Sequence, residues 1–428
     1  MILLFFLYLK IQFSKNQIIL QFERHWGSLP ITKENLFENL YRNQLITKLN
    51  IGSSKQEIPL SIRLHSYISF LLSNEVNETN LIKYDNTKSS SFNLISKNPI
   101  KFSSLPFNLA YTFEDTFYLN NTICEKLPFI LVSELSKYKN KYNVIEGGIL
   151  GFQRINNNVK ELDDYNFISL LYKNKLINFF GFSFKYTDND KGELIIGKYP
   201  HEYDNNYKEK NFLKSKVQKL TDDNTWGFIF DVAFIGNNII EENSKGDLNI
   251  ESGFIIAIQK YYFYVLKIFF NDKIEEGKCF KEIFHIDERE FYFFSCDDNV
   301  DVSLISTLTL SLKEIEMNIT FNESDLWYKF EGKKYYLILF QPYGNIWHLG
   351  KPFFKKYQVV FDQDKSVFGF YNLNYEKPSY FNKNWIIVFL LICITIILIC
   401  YIVNYFLKTP RRKRVNELIE DVDYTTTE

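Results

Sequence analysis

Short alternations of apolar and polar residues recur along most of the chain. After a Gly-Ser turn, apolar residues occupy every second position from Ile58 to Leu64, which predicts a strand with one buried face. Similar runs, separated by Asn, Asp, Gly and Lys, follow as far as residues 357–371, which resemble a hairpin. Residues 163–173 are a helix candidate, with acidic residues first and one apolar face. The pattern predicts an all-β fold.

Two longer apolar segments lie at the ends of the chain. Residues 1–16 are mostly apolar but too short to span a bilayer, which predicts a signal peptide. Residues 385–407 carry no charge and are long enough to span, which predicts a transmembrane helix. Basic residues follow it directly, so residues 408–428 are predicted to be a cytosolic tail. The chain is therefore interpreted as a single-pass type I membrane protein with a luminal or extracellular ectodomain.

Asn-x-Ser/Thr sequences agree with an ectodomain in the secretory pathway. Four Asn-x-Ser/Thr sequences are candidate glycosylation sites, at Asn77, Asn120, Asn318 and Asn322. In so Asn-rich a chain, four such sequences also arise by chance. The pathway extends to the cell surface and the endolysosome, and the sequence does not choose among these membranes.

The five cysteines fall into three groups. Cys279 and Cys296, 17 positions apart, are the natural disulfide pair in an oxidising compartment. Cys393 and Cys400 lie in the predicted membrane span, and Cys124 is expected to be a buried free thiol. No spacing of potential ligands predicts a metal site, and no motif predicts a cofactor. The formal net charge of −1 gives no electrostatic reason to expect nucleic-acid binding.

A faint internal repeat links four segments. The sequences EGGILGF (residues 146–152) and NIWHLGKPF (residues 345–353) share an apolar pair followed by Gly. Each follows a strand that ends in a polar cluster, at residues 62–66 and at residues 250–254. This arrangement predicts two similar units.

These segments resemble the pepsin-like aspartic peptidases, in which each of two β-lobes carries an Asp-Thr/Ser-Gly loop and a bracing Gly segment. The similarity runs in order along the ectodomain, through residues 49–62, 146–152, 226–236, 248–253 and 347–371. It implies an N-terminal lobe at residues 17–200 and a C-terminal lobe at residues 201–380. It also implies a monomer whose inter-lobe cleft takes an extended peptide or protein segment.

The first catalytic motif of the family is not present here. Counted without gaps, Arg63-Leu64-His65-Ser66 replaces Asp-Thr-Gly-Ser, so Arg63 falls at the aspartate position. A two-residue slip would place His65 there instead. Neither alignment supplies a carboxylate.

The second motif is altered less. Glu251 falls at the aspartate position and is followed by Ser252 and Gly253, as the family would have them. Tyr111 resembles the tyrosine of the flap that closes over substrate, although the glycines around that tyrosine are missing.

Aspartic peptidase chemistry requires two carboxyl groups that share one proton. Arg63 cannot supply one, so we expect an Arg63–Glu251 salt bridge between the lobes; alternatively, the first loop has drifted and Arg63 faces solvent. The sequence is interpreted as a membrane-anchored pseudopeptidase that binds an extended peptide. The alternatives are an active aspartic endopeptidase with an atypical catalytic pair, and a structural cell-surface protein.

Overall fold

The computed structural model describes residues 17–25, 32, 35–77, 81–100, 107–119, 124–135, 146–155, 163–218, 220, 225–236, 238–286, 289–315, 317–371 and 394–403. The chain divides into two compact units, residues 1–373 and residues 374–428. The first unit is mostly β-sheet, as the alternating pattern predicted. The predicted signal peptide, Asn120 and the predicted cytosolic tail lie outside the described residues.

In the described part of the first unit, thirteen strands form one sheet. They are β1 (Ile18–Arg24), β2 (Leu45–Ile51), β3 (Gln56–Arg63), β4 (Phe70–Leu72), β5 (Asn93–Leu94), β6 (Phe107–Tyr118), β7 (Cys124–Leu135), β8 (Gly148–Gly151), β9 (Gly181–Tyr186), β10 (Lys191–Ile196), β11 (Phe212–Lys216), β23 (Val359–Asp362) and β24 (Val367–Tyr371). Their order is β11-β24-β23-β9-β10-β1-β2-β3-β8-β4-β7-β6-β5. The last two strands of the unit therefore return to the sheet of the first.

The second sheet contains the strands between residues 227 and 349. They are β12 (Gly227–Ile235), β13 (Asn238–Leu248), β14 (Ile255–Ala257), β15 (Cys279–Ile286), β16 (Arg289–Asp297), β17 (Leu308–Leu312), β18 (Met317–Phe321), β19 (Trp327–Phe330), β20 (Lys333–Tyr336), β21 (Ile338–Phe340) and β22 (Ile346–Leu349). Strand β13 pairs in parallel with β22, just as β3 pairs in parallel with β8. Each sheet therefore contains one such parallel strand pair, at or next to the segments of the predicted internal repeat.

Short helices connect the strands. They are α1 (Leu36–Tyr41), α2 (Phe167–Lys173), α3 (Gln259–Val265), a π-helix (Leu266–Phe270), α4 (Asn271–Glu275), α5 (Glu323–Leu326) and α6 (Lys351–Lys356). Single 3₁₀ turns occur at Asn86–Lys88, Asp163–Tyr165, Pro200–Glu202, Glu209–Asn211, Ser303–Ile305 and Lys313–Ile315. The predicted helix at residues 163–173 is thus a 3₁₀ turn followed by α2, because the Asn166 side chain caps α2 by accepting a hydrogen bond from the Ser169 N–H.

Strand β3 differs from its prediction in one respect. The alternating residues Ile58, Leu60 and Ile62 are buried, but Pro59 and Ser61 between them are buried as well. The expectation of a single buried face is therefore wrong. Strand β3 lies between β2 and β8 inside the sheet, and both faces of the sheet are covered there.

The cysteines give one confirmation and one correction. Cys279 and Cys296 form the predicted disulfide, which joins paired residues of β15 and β16. Cys124 is a free thiol, but it is exposed at the start of β7 and is not buried as predicted.

The second unit is described only at residues 394–403, which form a helix. Residues 385–393 and 404–407 of the predicted membrane span lie outside the described part of the chain. Among the helices that the structure describes, none has both the length and the apolar character needed to cross a membrane.

Candidate active site

Two loops of the first unit lie against each other. The first loop, residues 64–69, follows β3, and the second loop, residues 249–254, follows β13. Arg63 at the end of β3 pairs with Gly151 of β8, and Leu248 at the end of β13 pairs with Leu349 of β22. The bracing glycines are needed for close backbone approach, since a Cβ atom at Gly151 would lie 2.6 Å from a carbonyl oxygen of the first loop. A Cβ atom at Gly350, the other bracing glycine, would lie 2.1 Å from the carbonyl oxygen of Phe254 in the second loop.

The hydrogen bonds of the two loops show which residues correspond. The Ser66 hydroxyl donates to the carbonyl oxygen two residues later at 2.9 Å, and the Ser252 hydroxyl makes the same contact at 3.0 Å. This correspondence pairs His65 with Glu251. Arg63, which a count without gaps aligned with Glu251, lies two residues earlier, at the end of its strand.

The structure brings Arg63, His65 and Glu251 into direct contact. The Arg63 Nη1 lies 2.8 Å from the Glu251 Oε2. The other carboxylate oxygen of Glu251, Oε1, accepts a hydrogen bond from the His65 backbone N–H at 3.2 Å. The same oxygen lies 3.4 Å from the Nδ1 of the His65 ring. The side chains of Arg63, His65 and Glu251 are 14%, 32% and 20% exposed, so solvent reaches all three. One carboxylate of the second loop therefore contacts two basic side chains at the first loop.

These contacts change the protonation of Glu251 and His65. Burial alone would raise the pKa of Glu251, but the charge of Arg63 and the hydrogen bond from His65 outweigh it and hold the pKa far below its usual range. Burial alone would lower the pKa of His65, but the hydrogen bond and negative charge of Glu251 raise it above its usual value. Glu251 is consequently ionised over a wide pH range, and His65 favours the protonated form.

The end of α1 and the residues that follow it hold the Glu251 loop in position. The Asn43 backbone N–H donates to the Glu251 carbonyl oxygen at 3.0 Å, and the Asn43 side chain donates to the Ile250 carbonyl oxygen at 2.6 Å. The Gly253 N–H donates to the Tyr41 carbonyl oxygen at 2.9 Å. Asn43 is fully buried, so these bonds attach the second loop firmly to the N-terminal part of the chain.

A second acid–histidine contact lies close to this group and was not predicted. The Asp247 Oδ1 lies 2.6 Å from the Nδ1 of His348, which faces it across the β13–β22 pair. The charge of Asp247 contributes to the raised pKa of His65. Asp247 lies four residues before Glu251, so the sequence did show a second carboxylate close to it along the chain. The partner His348 follows only from the strand register.

The family model for eukaryotic aspartyl proteases matches residues 44–373. The chain belongs to the eukaryotic aspartyl protease family. No curated protein matches it. The matched range includes both loops and both bracing glycines.

Other candidate residues have defined places in this aspartyl protease fold. Tyr111, the flap candidate, lies within strand β6 opposite Leu131 and is half-buried. The glycosylation candidates Asn77, Asn318 and Asn322 are all exposed. Within the described ranges, no group of His, Cys, Asp and Glu residues is arranged to hold a metal ion.

The chemistry of this centre differs from that of an acid pair. Two carboxyl groups at such a centre share a proton, so that one acts as base and the other as acid. Here Glu251 faces a histidine and an arginine, and an arginine neither accepts nor readily releases a proton. The centre therefore holds a strong ion pair in place of a shared proton.

Proposed function

We propose that the chain is a membrane-anchored pseudopeptidase of the aspartyl protease family, which binds an extended peptide or protein segment in its inter-lobe cleft without cutting it. The observation that carries this proposal is the Glu251 carboxylate, whose two oxygens contact Arg63 and His65. A base for water activation needs a pKa near the working pH. The pKa of Glu251 is held far below that range, so its ionised form is a weak base.

Retained peptide binding is supported by the family match and by the accessibility of the site. In the family, an extended peptide lies across the two loops, and both loops keep their bracing glycines here. The side chains of His65 and Glu251 are partly exposed, so a peptide could reach them. Arg63 and protonated His65 together outweigh the single negative charge of Glu251, and the net positive charge of the three groups favours peptides with an acidic residue.

A peptide-capture experiment tests this function. The full-length protein would be incubated with a mixed peptide library, and both the retained peptides and the solution would be examined by mass spectrometry. The proposal predicts that intact peptides are retained and that no cleavage products accumulate. Retention of no peptide at any pH would contradict the binding function and favour a structural cell-surface protein.

One observation favours a second candidate, an active endopeptidase with an atypical catalytic pair. His65 occupies the position that corresponds to Glu251, and its raised pKa keeps a proton next to an ionised carboxylate. Such a pair contains both an acid and a base. Cleavage that is lost in both His65→Ala and Glu251→Ala would establish this candidate and overturn the pseudopeptidase.

Membrane anchoring is proposed from the uncharged residues 385–407 and the basic residues that follow them. Carbonate extraction of membranes from expressing cells is the test. The full chain should remain with the membrane, and a chain that ends at residue 380 should be released. Release of both would contradict the anchor.

A further inference from the structure

A cavity of about 310 Å³ lies next to the Glu251 loop, on the side lined by Gly253. Both sheets contribute to its walls. Arg24 ends β1 of the first sheet, Trp327 begins β19 of the second, and Lys351 begins α6. The volume is at the lower end of the range for small-molecule sites, about 300–1,000 Å³.

The cavity has an excess of positive charge. Arg24, Lys351 and Lys355 line it, together with the carboxylates of Asp190 and Asp325. The side chains of Arg24 and Lys351 are only 3% and 12% exposed. Cations buried this far are costly unless negative charge lies close by.

The carboxylates of the cavity already contact cations. Lys351 donates to the Asp190 Oδ1 at 2.9 Å, and the Arg24 Nη1 lies 3.7 Å from the same oxygen. Asp325 accepts a hydrogen bond from Lys356 at 2.6 Å, and Lys356 does not line the cavity. Arg24 also donates from its Nη2 to the carbonyl oxygens of Asn39 and Leu40. Arg24 and Lys351 nevertheless share the negative charge of one carboxylate, and Asp325 is already paired with a lysine outside the cavity lining.

One further observation indicates that the site favours additional negative charge. Burial and the positive charge of Arg24 lower the pKa of Lys351 to about 8. An oxyanion would relieve the repulsion between the cations.

We propose that this cavity binds a small molecule through a phosphate or carboxylate group, with Lys351 and Arg24 as its charged contacts. Leu40 and Pro352 also line the cavity and would face the apolar part of the ligand. The proposal does not depend on peptidase or peptide-binding activity, since the cavity is lined by neither Arg63 nor His65. Because Gly253 belongs to the wall, ligand binding should also stiffen the Glu251 loop.

Calorimetric titration of the full-length protein at about pH 7, where Lys351 is still protonated, tests the proposal. Inorganic phosphate and succinate are the two probes, and sodium chloride of equal ionic strength is the reference. We expect one-to-one binding of at least one probe and none of chloride. Binding of phosphate alone, or of succinate alone, would identify which oxyanion the site takes. Binding of neither probe, or equal heats with chloride, would overturn the proposal.

Three variants locate the binding site. Lys351→Gln should weaken binding at least about tenfold, as expected for the loss of a charge-assisted hydrogen bond. Lys355→Gln, which removes a more exposed cation of the cavity lining, should weaken it a few-fold and carries the test if Lys351→Gln does not fold. The matched control is Lys88→Gln, because Lys88 is an exposed cation paired with Asp85 and does not line the cavity. Unchanged affinity in both cavity variants would overturn the proposal.

Discussion

The contact between Arg63 and Glu251 should contribute measurably to the stability of the protein. Exposed ion pairs are worth about 0–1 kcal/mol, whereas removal of one partner from a fully buried pair costs about 3–5 kcal/mol. The two side chains are 14% and 20% exposed, so partial screening by solvent places Glu251→Gln between these limits. We expect a loss of about 2 kcal/mol in the free energy of unfolding.

A double-mutant cycle separates the pair from other effects of each substitution. The single variants Arg63→Met and Glu251→Gln and the double variant would be unfolded in urea and by heat. The expected coupling energy is about 1–2 kcal/mol. For a unit of this size, a loss of 2 kcal/mol corresponds to a decrease in Tm of about 3 °C.

Lys48 and Glu57 provide a matched control cycle on the surface. Their ion pair is 3.2 Å long, but the side chains are 55% and 60% exposed, so a coupling of about 0–0.5 kcal/mol is expected. If the Arg63–Glu251 coupling is no larger than this control, the ion pair does not tie the lobes, and the reasoning from burial is refuted.

Three further predictions concern stability. His65→Gln should lower Tm more at about pH 6 than at about pH 9. The stabilisation from protonated His65 is complete below the unfolded pKa of about 6.5, and it is lost as pH rises through the raised folded pKa. Equal losses of Tm at both pH values would contradict this prediction. Gly253→Ala should cost at least about 2 kcal/mol in the free energy of unfolding, since the added Cβ would lie 1.6 Å from the Leu40 carbonyl oxygen; an unchanged urea midpoint would be evidence against that crowding. Replacing Cys279 and Cys296, 17 positions apart, with Ser should lower the free energy of unfolding by about 3 kcal/mol. A reductant should destabilise the wild type but not the variant, and an equal effect on both would exclude the disulfide as the cause.

Much of the fold followed from local patterns in the sequence. The alternating apolar residues predicted β-structure, and residues 357–371 form the predicted hairpin, β23 and β24. The burial of Ser61 and the exposure of Cys124 were missed. Both depend on which strands become neighbours, and a single sequence carries little information on such long-range pairing.

The candidate site shows a sharper limit. A strand pattern with a period of two is unchanged by a shift of two residues, so the sequence could not decide between Arg63 and His65 as the counterpart of Glu251. The hydrogen bonds of Ser66 and Ser252 supply the missing register. Both basic residues contact the same carboxylate; Arg63 ends β3 and His65 lies in the turn that follows it.

The central claim is that Glu251, held ionised by Arg63 and His65, cannot support peptide hydrolysis. The most direct test is the cleavage of a mixed peptide library by the purified full-length protein across about pH 3–7, the range that spans the ordinary carboxyl and histidine pKa values. Glu251→Ala would serve as the matched control. We expect no cleavage products from either protein at any pH. Products that form with the wild type and disappear with Glu251→Ala would contradict the account.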